Sequence, residues 1–306
     1  MESATYEDQF GRVARRLLRL YRPVRRCAKR FLGVRSEILV EIRWHVGDEI
    51  MAIPIYEALR ATYSPCRTTV LCNHPELLEG NPFVDALNEI RRDPDRYIFL
   101  RSGPRHVYRL EHYARCAGIA TPDIRPRLYY SNWRAPLIAD IGEPFVAVCA
   151  DASWATKRWP MERWRVLCRA LSDMGYAVVE LGTGDEPIGV RHSFIKKTDL
   201  REAACMLRAA RLLICCDSGL MHLALAAGGR VLALFGPTDP DILARNEPKL
   251  TSIVVDRDCR GCWNRAVEFE EPGTCPLNRQ TCLDAITPEQ VVEQARRILD
   301  PPRWGT

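Results

Sequence analysis

The stretch that decides the fold is RLLICCDSGLMHLALAAGGRVLALFGPTD, residues 211–239. Two short apolar runs, 212–216 and 231–235, have the length of buried strands, and a helix of small residues separates them. Two strands joined by so short a helix predict a βαβ unit of a parallel sheet, in which ligands bind beyond the carboxyl ends of the strands. Both polar clusters, DSG at 217–219 and GPTD at 236–239, fall at such ends.

The first of these clusters suits a phosphate-bearing ligand. A helix that begins at Ser218 presents unpaired N–H groups and a positive dipole end, which favours an anion by about 0.3–1 kcal/mol per charge. Gly219 lets such a ligand approach the backbone closely. The alternative is that Asp217 or Ser218 only caps a structural helix, the commonest use of these residues, and that His222 covers its surface.

The two halves of the chain repeat the same alternation. EILVEIR at 37–43 predicts a strand, WHVGD at 44–48 a loop, 49–63 a helix and 68–72 a second strand. Asp48 therefore follows a strand, where it either faces a cleft or caps the helix. From 145 onward, strand and helix alternate again, which predicts a second doubly wound domain.

Composition excludes several classes of protein. With 306 residues, of which 47% are hydrophobic and 27% charged, the chain has room for two domains of about 150 residues. No apolar run approaches a membrane span of about 20 residues, and no secretory signal opens the chain, so we expect a cytoplasmic protein. The formal net charge of the chain is +5, but ten basic residues and no acidic one lie within 12–35. Without these ten charges the remainder of the chain has a net charge of 5 − 10 = −5, which argues against nucleic-acid binding.

This basic arm has leucines and valines among its arginines, as in an amphipathic helix. Such a segment is suited to the anionic surface of a membrane. The alternatives are a solvated arm and a helix packed on the first domain.

Four separated signatures resemble glycosyltransferase family 9, the heptosyltransferases of lipopolysaccharide synthesis. They are VGD with PIYEALR and NPFVD within 46–85, SWATKRWP at 153–160, GTGDE at 182–186, and DSGLMHLALAAGGRVLALFGPTDP at 217–240. One departure is that the family usually has Pro-Gly where this chain has Ala150 and Asp151. Asp151 adds a side chain and a negative charge where the backbone would approach a phosphate.

The resemblance implies an α/β protein of GT-B architecture, with two Rossmann-like doubly wound domains facing across a cleft. The acceptor domain would be 36–142, after the arm of 1–35. The nucleotide-sugar domain would be 143–306, with a Cys-rich loop at 259–282 and a last helix. The reaction would be inverting transfer of heptose from ADP-heptose to a hydroxyl of a lipopolysaccharide-core-type acceptor, with no cofactor required for catalysis.

The resemblance also implies roles for individual residues. Asp48 would be the general base, and Lys157 would stabilise the leaving diphosphate. The donor would be bound by Ser153, Lys157, Glu186, Thr198, Asp217, Ser218, Gly219 and His222. Arginines within 91–142 suit an anionic glycolipid or glycoprotein acceptor, or they form a solvated surface.

Three other functions compete with this prediction. One is a family 9 transferase that uses another nucleotide sugar or a protein acceptor, as the autotransporter heptosyltransferases do. Another is a non-catalytic protein that only binds sugar nucleotides, against which the presence of both Asp48 and Lys157 argues. The third is a GT-B epimerase, which the GD and FGPT segments fit less well.

The cysteines give a separate signal. Thirteen cysteines in a cytoplasmic chain are better interpreted as reduced thiols or metal ligands than as disulfides. Four of them follow the spacing C-x2-C-x12-C-x6-C: Cys259, Cys262, Cys275 and Cys282. Four thiolates form a tetrahedral site for Zn or Fe, whose role on this loop would be structural.

Overall fold

A computed structural model of the protein describes residues 35–90, 93–130, 133–141, 144–265, 274, 275, 277 and 281–300. The predicted membrane-binding arm of residues 12–35 therefore lies outside the described residues, apart from Arg35. Among the helices that are described, none has the length and apolar character needed to cross a bilayer.

The first sheet has four parallel strands in the order β3-β2-β1-β4. The strands are β1 (Ser36–Glu41), β2 (Cys66–Leu71), β3 (Ala86–Leu87) and β4 (Arg96–Phe99). Helix α1 (Val46–Tyr63) joins β1 to β2, and α2 (Arg109–Ala117) follows β4. The end of β1 therefore leads directly into the first turn of α1.

The second sheet has six parallel strands in the order β10-β9-β8-β5-β6-β7. They are β5 (Phe145–Cys149), β6 (Ala177–Glu180), β7 (His192–Ser193), β8 (Leu213–Cys216), β9 (Val231–Phe235) and β10 (Leu250–Val254). Counted from β5, this is the order 3-2-1-4-5-6 of dinucleotide-binding domains, in which the ligand crevice opens between the first and fourth strands. Here those strands are β5 and β8.

Six helices accompany this sheet within the described part of the chain: α3 (Met161–Asp173), α4 (Leu200–Ala209), α5 (Gly219–Ala227), α6 (Pro240–Leu243), α7 (Cys262–Arg265) and α8 (Pro288–Leu299). Every residue of β5, β8 and β9 is buried, as expected of parallel strands covered on both faces. Helices α4 and α8 each begin with a capping box. The predicted α/β fold with parallel, doubly wound sheets is confirmed.

The two sheets share one apolar core. Val40 of β1 and Ile50 of α1 belong to the same buried cluster as Met221 of α5 and Cys215 of β8. The segment before the second sheet also lies along α5, where the N–H of Leu128 donates to the carbonyl of Ala226 at 3.0 Å. The packing of α1 against α5 therefore brings together the loops that follow β1 and β8.

Candidate active site

Asp48 lies in the first turn of α1, three residues after the N-cap His45. Its Oδ1 is 3.1 Å from Nε of Arg109 and accepts a hydrogen bond from the hydroxyl of Tyr113 at 3.2 Å. Burial, and then the Asp48 carboxylate, raise the pKa of Tyr113, so the phenol remains a donor. The Asp48 side chain is therefore oriented by α2 rather than used as a helix cap, and its Oδ2 lies 4.0 Å from Nδ1 of exposed His45.

Lys157 and Asp217 form an ion pair between the loops after β5 and β8. Lys157 Nζ is 2.6 Å from Asp217 Oδ2, which also accepts from the Thr238 hydroxyl at 2.9 Å. Burial raises the pKa of Asp217, but Lys157 and the other neighbours outweigh it and hold the pKa below its ordinary value. The ammonium also lies 4.0 Å from the ring centroid of Trp154. Lys157 is thus fixed between a carboxylate and an aromatic face at the crevice.

His222, in the first turn of α5, lies where the two sheets meet. A Cβ on Gly47 would be 2.8 Å from Cδ2 of His222, so this contact requires glycine. A Cβ on Gly219 would be in ordinary van der Waals contact with Cβ of Val46, at 3.4 Å. Burial lowers the pKa of His222, despite the opposing effect of Asp217 and of Asp48, so the imidazole is neutral at pH 7.

The helix-cap alternative fails for the second loop as well. Ser218 is the N-cap of α5, but its side chain makes no capping hydrogen bond, and the carboxylate of Asp217 is engaged by Lys157 and Thr238. The first turn of α5 therefore keeps backbone N–H groups that its own N-cap side chain does not use. Such a helix start is suited to an anion.

The remaining predicted donor-binding residues are more scattered. Ser153 is exposed on the loop between β5 and a 3-10 turn at Ala155–Lys157, and Thr198 is half-buried just before the N-cap of α4. The side chain of Glu186 is 70% exposed, and its carboxylate is 3.5 Å from Arg165 of α3. The structure thus gathers Asp48, Lys157, Asp217, Ser218, Gly219 and His222, whereas Glu186 pairs with the outer helix.

A buried acid next to Asp48 orders the same edge of the first sheet. Glu49 is 2% exposed and accepts hydrogen bonds from the N–H groups of Asn73 and His74 at 2.8 and 3.0 Å. Its bond with the His74 ring raises the pKa of His74. Sequence reasoning missed this pair, although Glu49 stands four residues before Ile53, on the apolar face of α1.

Helix α7, from the Cys-rich loop, bridges the two sheets. Asn264 is buried; its side chain donates to the carbonyl of Arg105 at 2.6 Å and accepts from the N–H of Asp239 at 2.8 Å. The ring of Trp263 lies edge-on to Trp154, with centroids 4.6 Å apart, and 3.6 Å below the guanidinium of Arg105. No motif in the sequence predicted this bridge, which ends at the ring that supports Lys157.

The four predicted metal ligands lie near one another. Burial, followed by the charges of Cys275, Cys262 and Cys259, raises the pKa of Cys282 to about 12. Soft thiolates suit Zn or Fe. However, no three His, Cys, Asp or Glu side chains within the described ranges are arranged to hold a metal ion. The side chains as placed therefore do not form the predicted site, and no step of the chemistry is assigned to a metal.

Residues 114–271 match the family model of glycosyltransferase family 9 (heptosyltransferase). The chain belongs to glycosyltransferase family 9. The match covers the crevice loops after β5, β6, β8 and β9, and the family predicted from the sequence is thereby confirmed. Asp48 and Arg109 lie before the matched region.

Curated relatives are similar at modest identity. Lipopolysaccharide heptosyltransferase 1 of Pseudomonas aeruginosa is 27% identical over 179 residues, 54% of this chain and 50% of that protein. The inactive autotransporter heptosyltransferase BimC of Burkholderia thailandensis is 25% identical over 266 residues, 81% of this chain and 60% of that protein. The chain spans about half the length of the lipopolysaccharide enzymes that it matches.

A solved structure establishes the architecture. The dodecameric, iron-containing heptosyltransferase TibC of enterotoxigenic E. coli, in complex with ADP-D-β-D-heptose, superposes with a TM-score of 0.73 at 20% identity, covering 86% of this chain and 76% of TibC. At that identity the likeness is evidence for the fold alone. The predicted GT-B architecture is confirmed.

Proposed function

We propose that the protein transfers a heptose from ADP-heptose to a hydroxyl of an anionic acceptor, with inversion and without a metal ion in the chemistry. One observation carries the proposal: Asp48, in the first turn of α1, lies across the crevice from the Lys157–Asp217 pair, with His222 between them. Direct displacement of a diphosphate requires a base on one side of the crevice, and a cation together with the start of a helix on the other. Membership of family 9 and the ADP-heptose complex of TibC favour this donor.

The acceptor side supplies the base. Arg109 and Tyr113 hold Oδ1 of Asp48, so Oδ2 is the oxygen that takes the proton from the attacking hydroxyl. General-base catalysis of this kind contributes about 10²–10⁴-fold in rate. The hydroxyl attacks the anomeric carbon from the face opposite the leaving group, so the configuration inverts.

The donor side stabilises the departing ADP. The Lys157 ammonium and the first-turn N–H groups of α5 meet the diphosphate as its charge grows. Neutral His222 offers a hydrogen bond without adding charge to the crevice. In this scheme residues 36–142 bind the acceptor and 143–306 the nucleotide sugar.

The acceptor belongs to an anionic class, a lipopolysaccharide core or a glycoprotein. Arg105 and Arg109 border the first-sheet side of the crevice, where acceptor phosphates or carboxylates would bind. We include in the proposal that the protein works at the cytoplasmic face of the inner membrane, with residues 12–35 as its peripheral contact. The basic composition of that arm supports this placement.

The test is a transfer assay with purified protein, ADP-heptose and a heptose-deficient lipopolysaccharide core. Asp48→Asn keeps the size of the side chain but removes the base, so kcat should fall about 10²–10⁴-fold while ADP affinity stays within about twofold. Asp173→Asn, an exposed acid at the end of α3, is the matched control and should keep full activity. An Asp48→Asn enzyme with wild-type turnover would refute the assignment of the base.

A second function has one observation in its favour. BimC, which matches 81% of this chain, is named an inactive autotransporter heptosyltransferase. A non-catalytic protein would bind ADP-heptose in calorimetry and transfer nothing to core or protein acceptors. Turnover with another nucleotide sugar alone would instead identify a transferase with a different donor.

A further inference from the structure

Asp151 occupies an unusual place at the crevice. It follows β5, and its Oδ2 accepts hydrogen bonds from the N–H groups of Thr183 and Gly184, in the loop after β6, both at 2.5 Å. A Cβ on Gly182 or Gly184 would collide with the same carboxylate. The glycines of this loop therefore leave room for an acid that comes from the neighbouring strand.

The position of this carboxylate matters because of the strand order. In the order 3-2-1-4-5-6, the acid that binds the ribose hydroxyls of a nucleotide lies at the end of the second strand, which here is β6. The acids of β6 and its loop are engaged elsewhere. Glu180 is 1% exposed and accepts from the N–H of Ile188, Asp185 pairs with Lys196, and Glu186 pairs with Arg165.

We propose that Asp151 determines the ribose specificity of the donor site, in place of Glu186. This rests on the proposed function, because it takes the ligand to be a nucleotide sugar. The two backbone bonds fix Oδ2, and no hydrogen bond reaches Oδ1 from the described residues, so Oδ1 accepts from the ribose hydroxyls. A phosphate on the ribose is rejected because the carboxylate repels it and already occupies the N–H groups of Thr183 and Gly184.

The competing explanation is that Asp151 has only a structural role and holds the loop after β5 to the loop after β6, as a clip between them. Asp151→Asn and Asp151→Gly separate the two ideas. The asparagine oxygen still accepts both backbone bonds, whereas its amide presents no charge to the ligand. Glycine removes the clip and exposes the N–H groups of Thr183 and Gly184, which then form a cradle for an anion.

Isothermal titration with ADP, 2′-deoxy-ADP and 2′-phospho-ADP measures the specificity directly. Wild-type protein should prefer ADP over 2′-deoxy-ADP by at least about tenfold, as a hydrogen bond to a charged group provides. Asp151→Asn should reduce this ratio to below about threefold at an unchanged melting temperature. Asp151→Gly should bind 2′-phospho-ADP at least about tenfold more tightly than wild type does.

Asp185→Asn is the control, since Asp185 lies on the same loop but pairs with Lys196 in solvent; it should keep the wild-type ratios. A mere clip would weaken all three ligands equally in Asp151→Gly and leave every ratio unchanged, which would overturn the proposal. UDP, GDP and CDP with their 2′-deoxy forms are titrated in parallel, because the ribose contact does not depend on the base. Wild-type protein that binds none of the four ribonucleotides would overturn the proposed function as well, whereas binding without ribose discrimination would overturn only the role of Asp151.

Discussion

Replacing Lys157 by methionine should destabilise the fold, as well as weaken donor binding. The ion pair is nearly buried, with side-chain exposures of 12% for Lys157 and 6% for Asp217. Removing one partner of a buried pair costs about 3–5 kcal/mol, because the other charge is left without compensation. Asp217 can escape by taking up a proton, which at pH 7 costs about 4 kcal/mol for a carboxyl of ordinary pKa. The expected loss at pH 7 is therefore about 3–4 kcal/mol.

The same reasoning fixes the pH dependence. In wild-type protein the pKa of Asp217 is lowered, so its contribution to stability is present above the unfolded pKa of about 3.9 and is lost as pH falls through the folded value. In Lys157→Met, protonation of Asp217 limits the loss of unfolding free energy to about 1.5 kcal/mol at pH 5. The difference in unfolding free energy between the two proteins should thus shrink by at least about half between pH 7 and pH 5.

Chemical denaturation and thermal melting at both pH values measure this. A loss of about 3 kcal/mol corresponds to a fall in Tm of about 6–12 °C for a unit of this size. Lys196→Met is the matched control, because Lys196 pairs with Asp185, whose side chain is 95% exposed, and its Tm should not change. Lys157→Met with Asp217→Asn should recover most of the loss. Equal Tm values for Lys157→Met and Lys196→Met would refute the reasoning.

Three further outcomes are expected. Because the four cysteines of the Cys-rich loop as placed do not form a metal site, protein purified without chelator should contain well under one Zn or Fe per chain by elemental analysis. About one metal per chain, with a Tm that falls on chelation before transfer is affected, would contradict this placement. The pKa of His74 is raised, so its bond with Glu49 stabilises the fold fully below the unfolded pKa of about 6.5, and this stabilisation is lost as pH rises through the folded pKa. In urea denaturation, His74→Asn should therefore lose more stability at pH 6 than at pH 8. Equal losses at the two pH values would contradict the bond. Deleting residues 1–35 should abolish co-sedimentation with anionic vesicles at low salt, whereas unchanged co-sedimentation would show that the arm is not the anchor.

The sequence predicted the structure best where residues close together in the chain decide the backbone conformation. The segment 211–239 predicted β8, α5 and β9, because its apolar runs and its glycines act on the backbone nearby. The start of α1 was less well predicted. The helix begins at Val46 rather than at 49, since His45 makes no side-chain cap that would mark the boundary. Asp48 therefore lies inside the helix, and contacts with α2 decide its orientation.

Contacts between distant segments could not be predicted in the same way. Asn264 meets Arg105 across 159 positions, and no periodicity or turn signal links them. The replacement of Gly by Asp151 was visible in the sequence as a departure from the family pattern. Its partners were not, because Thr183 and Gly184 belong to the neighbouring strand's loop and come close only when β5 pairs with β6.

The charges at the crevice explain why a few groups of fixed geometry should decide which nucleotide binds. Asp48 is paired with Arg109 and Lys157 with Asp217, while the lowered pKa of His222 keeps it neutral. These five side chains therefore carry no net charge, so they exert little long-range attraction on an anionic nucleotide. We therefore expect the proposed donor to bind by exchange of partners, with a phosphate competing with Asp217 for Lys157. In the proposed donor site, selection among nucleotides falls to groups with fixed geometry, namely the N–H groups that begin α5 and the Asp151 carboxylate, which accepts from the N–H groups of Thr183 and Gly184.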